Sequence, residues 1–144
     1  MTAGSRPDDP FAAFNFIVSV QGMEAGFAEV EGLATETSVI DYREGNEDAS
    51  VHTLPSVRKY VHLTFKRGVT SSKELWEWRK KVMDGNPQRL SGTITLLDEA
   101  RKPARVWKFY SAWPSKWVGP AFDATNNEVA IEEMEIAVEG LEQG

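Results

Sequence analysis

No cysteine occurs anywhere in this chain, and only two histidines do, His52 and His62. The first absence excludes disulfides, thiolate metal centres and a cysteine nucleophile; the second leaves too few imidazoles for a histidine-rich metal cluster. Carboxylates alone can hold calcium, but no loop motif supports such a site. No apolar run reaches the roughly 18 residues that a membrane-crossing helix needs. The opening MTAGSRPDDP also lacks the basic-then-apolar order of a signal peptide, so the expectation is a chain made and folded in the cytoplasm. Phosphate-cradling patterns are missing: there is neither G-x-x-x-x-G-K nor G-x-G-x-x-G. The G-x-S-x-G elbow is absent too, and neither histidine sits beside an acid in a way that hints at a triad. His62 alternates with Tyr60, Thr64 and Lys66 on a polar face, which reads as a surface or interface position. No catalytic, cofactor-binding or metal-binding residue is expected.

Bases are missing from the end of the chain. Residues 1–56 carry ten acids and two bases, residues 57–118 five acids and fourteen bases, and residues 119–144 seven acids and no base. The blocks therefore contribute −8, +9 and −7 to a net charge of −6. Two readings are open. Strands of the three blocks mix in space and cancel, or opposite patches on one copy meet their complements on the next. Specific nucleic-acid binding by the central block is disfavoured because the flanking acids repel phosphate.

What is present is enough for one compact domain with a core, over residues 11–144, behind a polar N-terminal arm of residues 1–10. FNFIVSV alternates Phe14, Phe16, Val18 and Val20 against polar neighbours, the period of a half-buried strand. A turn between Gly22 and Gly26 leads to FAEVEGL, a second short strand. ATETSVIDY has strand propensity but no apolar face, which suits a water-facing sheet or an edge that another chain completes. After a loop of about a dozen residues, VRKYVHLTFKRG alternates throughout and reads as one strand, with Val57, Val61, Leu63 and Phe65 inward.

A helix follows. Ser71 and Glu74 have capping-box spacing, Leu75, Trp78 and Val82 recur at helical intervals, and Gly85 can end it, leaving Lys73, Glu77, Lys80 and Lys81 on the outer face. Trp76 and Trp78 then lie on different sides, one for the core and one for a neighbour. RLSGTITLLD and RVWKFYSAW form a hairpin across a five- or six-residue loop, and Trp113 and Trp117 flank Pro114 at a rigid corner. NEVAIEEMEIAVEGL is ambiguous: helical spacing competes with a strand whose phase slips at Glu132 and Glu133. The total is six to seven strands and one helix, an antiparallel β-barrel or sandwich with a flanking α-helix.

The stretch SVIDYREGNEDAS gathers Asp41, Glu44, Glu47 and Asp48 around Arg43. Paired-carboxylate chemistry needs two groups at fixed separation, which a loop containing Gly45 and Asn46 supplies badly.

Taken together, GFAEVEGLATETSVIDYREGN, LPSVRKYVHLTFKRGVTSSKELWEW and ITLLDEARKPARVWKFYSAWPSKWVGPAFDATNNEVAIEEMEIAVEGL resemble the inner-tube proteins of contractile tails. These occur in contractile phages, tailocins and extracellular contractile injection systems, and share a fold with the type VI secretion tube protein. The resemblance spans Phe14 to Leu141. It rests on an EYREGN-like loop, with Asp41 where Glu is commoner, a strand ending in KRG, the LW-W helix, and AWP-KW-GP running into NEVAIE-E.

The resemblance implies a flattened barrel with one helix, hexameric rings that stack into a hollow tube, and propulsion by a contracting sheath. Its implied partners are other copies, the sheath, baseplate and tube-cap proteins, and cargo or effector in the lumen; it implies assembly in the cytoplasm into a phage-tail-like particle open to release. It makes the C-terminal stretch a long strand. It assigns Tyr42, Arg43, Glu44, Gly45, Asn46, Glu47 and Asp48 to an inter-subunit or inter-ring loop, and Thr35, Glu36, Thr37, Ser38 and Asp41 to a lumen or interface strand. Two other roles remain open, a baseplate-proximal initiator ring and a monomeric ligand-binding β-barrel.

Overall fold

A computed structural model describes residues 10–13, 15–21, 23, 26–42, 52–60, 62–125 and 127–144; side-chain placement at 40–42 and 52–60 lies outside the description. Among the described residues there are nine strands and one helix: β1 (Phe16–Val20), β2 (Glu29–Glu31), β3 (Thr35–Tyr42), β4 (His52–Tyr60), β5 (Leu63–Gly68), α1 (Glu74–Met83), β6 (Leu90–Leu97), β7 (Pro103–Val118), β8 (Ile131–Ala137) and β9 (Gly140–Gln143). All strand pairings are antiparallel. Seven strands form one sheet in the order β1-β6-β7-β8-β5-β2, with β9 also on β7, while β3 and β4 pair only with each other. The large sheet ends on β1 and β2, which do not pair, so it is not closed into a barrel within one chain.

The sixteen residues of β7 shape the molecule. Leu90 to Leu97 pair with the first part of it, and β8 pairs with Trp113 to Val118. Between them Ser111 takes a positive φ of 52°, and the register shifts between Pro114 and Lys116. The expected corner is thus a bend within one continuous strand, with Pro114 fully buried in it. The halves on either side share one core of Val20, Ile94, Phe109 and Ala112 with Leu63, Phe65, Met134 and Ile136, and the rings of Phe65 and Phe109 lie 6.0 Å apart across it.

Two sequence expectations change here. VRKYVHLTFKRG is not one strand: it breaks between Tyr60 and Leu63, because β4 pairs with β3 whereas β5 pairs with β2 and β8. Leu63 and Phe65 do point inward, and Arg67 joins them. His52, read as a loop residue, starts β4. The C-terminal stretch is extended but not one long strand: β8 ends at Ala137 and β9 starts at Gly140, and β8 shows no slip of phase. Glu132, Met134 and Ile136 are buried in unbroken alternation, while Val129 and Ile131 are exposed. A carboxylate can hold the inward position because Arg67, its cross-strand partner, neutralises it. β8 and β9 run along β7 in succession, parted at Val138 and Glu139 opposite the bend, where Glu139 N–H donates to the Tyr110 carbonyl at 3.1 Å.

The helix starts later than a capping box at Ser71 requires. Lys73 is the N-cap, so Glu74 is the first helical residue, two positions short of the box position, and no side chain caps the end. Ser72 Oγ instead accepts from Glu74 N–H at 3.4 Å. The other end is as expected. Gly85 at φ 81° and Asn86 donate their N–H groups to the carbonyls of Val82 and Lys81, the paired bonds of a left-handed C-terminal cap. Leu75 and Trp78 are buried against β7 and the core, and Trp78 Nε1 donates to the Gln88 carbonyl at 2.7 Å.

Candidate assembly surface

The β3–β4 ribbon stands out physically. It has a register shift between Thr37 and Val39 and packs substantially against no other element among the described residues. Thr35, Glu36 and Thr37 are exposed, Ser38 is half-buried, and Val39 is 65% exposed. A lone two-stranded ribbon is marginal in water, and both of its outer edges offer unpaired backbone groups. The apolar face that ATETSVIDY lacks in sequence is thus also missing in structure.

The ribbon leaves the body at two adjacent points. Gly32, at φ 99°, packs its α-carbon so close to His62 that a Cβ would lie 2.2 Å from the His62 carbonyl oxygen. The His62 imidazole reaches β8, where Nδ1 donates to Glu135 Oε1 at 2.6 Å. Since a carboxylate only accepts, this bond fixes the tautomer with the proton on Nδ1.

The charge blocks meet in part within the chain. Lys66 Nζ lies 3.5 Å from Glu29 and 3.5 Å from Glu31 on β2, and these two carboxylates, Glu29 foremost, raise its pKa. Arg89 pairs with Glu139. Arg67 Nε donates to Glu132 Oε1 at 2.7 Å, both side chains are buried, and Trp117 Nε1 donates to Glu132 Oε2 at 3.3 Å. In each case the central basic block meets a flanking acidic one, so the mixing reading accounts for these pairs. Arg67 Nη2 remains buried without a partner.

At the helix, the N-cap Lys73 and Glu77, Lys80 and Lys81 are exposed, with Lys81 Nζ donating to Gln88 Oε1 at 2.7 Å. Trp78 takes the core place, and Trp76 stays 41% exposed with its ring edge-on to Trp117 at 4.9 Å. An apolar strip without cover follows the strand ends: Val69, Val118, Val129 and Ile131 are exposed there, and Phe122 is 89% exposed. A cavity of about 170 Å³ between α1 and the ends of β1 and β6 is lined by Gln21, Met23, Glu74, Glu77, Trp78, Lys81, Gln88 and Leu90, a mostly polar set unlike the apolar pocket of a ligand-binding barrel. Among the described residues no group of three or more His, Asp or Glu can hold a metal ion, and no helix is long and apolar enough to cross a membrane.

Of the residues singled out in sequence, Thr35, Glu36, Thr37, Ser38 and Asp41 share β3, and Tyr42 ends it. Arg43, Glu44, Gly45, Asn46, Glu47 and Asp48 lie outside the described residues. Sequence reasoning missed the His62–Glu135 bond and the buried Arg67–Glu132 pair, 73 and 65 residues apart in the chain. A signal for the second was present in the central base of KRG and the misplaced acid of IEEMEI.

The profile of the family described as T4-like virus tail tube protein gp19 matches residues 12–142. The fold is similar to that of a chain in the sheath–tube complex of an extracellular contractile injection system, PVC, in its extended state, at TM-score 0.87 and 26% identity over 96% of this chain and 93% of that one. It is equally similar, at TM-score 0.87 and 23% identity over 100% and 99%, to a chain of the anti-feeding prophage tube-terminating cap. A more distant likeness is Hcp1 from Flavobacterium johnsoniae, at TM-score 0.58 and 20% identity over 91% and 95%. No curated protein sequence matches.

Proposed function

Because the chain belongs to the T4-like virus tail tube protein gp19 family, we propose that it is a structural subunit of the inner tube of a contractile injection machine. Copies close into hexameric rings, rings stack into a hollow tube, and a contracting sheath drives the tube, with cargo, through a target envelope. The sheath, a baseplate and a tube cap are its partners, and no catalytic step is part of the role. The observation that carries this reading is the β3–β4 ribbon, a pair of strands that packs substantially against no other element among the described residues. The exposed apolar strip at the strand ends and the unpaired edges on β1 and β2 add to it, since neighbouring copies bury such surfaces without a separate partner. Ring closure and stacking are heterologous contacts, for which one subunit carries both halves of each interface.

Electron microscopy of the purified chain, alone and with its sheath, tests the proposal. Stacked rings are expected; a monomer that persists at every concentration and with the sheath present overturns it. The loop from Tyr42 to Asp48 is proposed to contact the neighbouring subunit or ring. Arg43→Glu is then expected to shorten or abolish tubes in the same images without changing the monomer's melting temperature, and tubes of parental length rule the contact out.

A further inference from the structure

We propose that His62 is a positioning residue for assembly: by bridging to Glu135 it sets the angle at which the β3–β4 ribbon leaves the body. Its consequence for assembly rests on the tube reading above, but its geometry does not. Short segments, between Glu31 and Thr35 and between Tyr60 and Leu63, join ribbon and body. At that root the backbone of Gly32 lies on the His62 carbonyl, which sets a distance but leaves rotation about the contact free. The imidazole supplies a second, lateral point of attachment on β8, 2.6 Å from Glu135. Glu135 is itself held, since its backbone carbonyl accepts from Ser115 Oγ on β7 at 3.2 Å and its strand is paired on both sides. Two non-collinear attachments fix an orientation that one cannot.

Leverage makes the angle matter. A strand of eight residues at roughly 3.3 Å per residue extends about 26 Å, so a rotation of about 10° at its root moves the far end by roughly 5 Å, one inter-strand spacing. An error of that size costs a whole register position against a neighbouring copy.

The absence of cysteine allows clean labelling. Spin labels on Val39→Cys in the ribbon and Ser19→Cys in the body, at concentrations below assembly, report the angle as a distance distribution. His62→Ala is expected to broaden that distribution by several ångströms, and His62→Gln, which keeps a donor, to restore it; if the alanine variant superimposes on the parent, the proposal is overturned. In the unlabelled full chain, His62→Ala should raise the concentration for half-maximal assembly by roughly fivefold, the scale of one net hydrogen bond, at an unchanged monomer melting temperature. A chain that never forms tubes yet responds in the distance measurement refutes the tube reading and leaves the positioning role standing.

Discussion

Among individual residues, Arg67 and Glu132 are the most consequential pair. Direct cross-strand partners at inward positions, they are almost wholly buried, so each ion compensates the other's lost hydration. Arg67→Met alone strands a buried carboxylate and should lower unfolding free energy by about 3–5 kcal/mol. Adding Glu132→Leu should recover most of that, and urea denaturation of the two variants separates them. Lys66 differs because its side chain is partly open to solvent, at 29% exposure. Its pKa is raised, first by Glu29 and then by Glu31, so its stabilising contribution is complete below the unfolded value of 10.5 and is lost as pH rises through the higher folded value. Between pH 9 and pH 11.5 the urea midpoint should fall more in the parent than in Lys66→Gln, which has no ammonium to lose. Composition reported neither pairing, because sequence order separates groups that only sheet register joins. The mismatch at Glu132 was legible as a fault in the alternation; its remedy at Arg67 was not.

For elements, the sequence was most informative where one period holds without interruption. β1, the β6–β7 hairpin with its five-residue connection and the C-terminal cap of α1 follow from alternation, turn chemistry and a glycine in the right place. Reading failed where one period continues across a change of partner. Tyr60, Val61, His62 and Leu63 keep the alternation while the chain passes from ribbon to body, and no local signal marks that boundary. The mark is remote, in Gly32, whose positive φ and missing side chain let the two connections touch. Gly32→Ala places a methyl group 2.2 Å from a backbone oxygen, so it cannot be relieved by a rotamer change. We expect a loss of about 2 kcal/mol or more in stability together with a displaced ribbon, checked by thermal melting and by the same label pair. Unchanged melting excludes the contact as drawn.

At the scale of the whole molecule, family membership and fold agree, and among the described residues the main sheet is open and the ribbon packs substantially against no other element. Val39, 65% exposed on that ribbon, probes the difference between folding and assembling. Val39→Asp should leave the monomer's melting temperature within about 1 °C, as surface substitutions do, and suppress higher-order species in analytical ultracentrifugation; assembly equal to the parent removes the ribbon from the interface. The helix and its lysines were legible from spacing alone, whereas the ribbon's isolation was not, since sequence shows what a strand lacks but not whether another element covers it. The long bent strand has a mechanical side as well. Since β7 belongs to both halves of the sheet, a force pulling them apart must stretch a covalent backbone or slide whole ladders of hydrogen bonds past one another in shear. Bonds so loaded share the force and fail together, and the fold gains stiffness from that connectivity without a single cross-link.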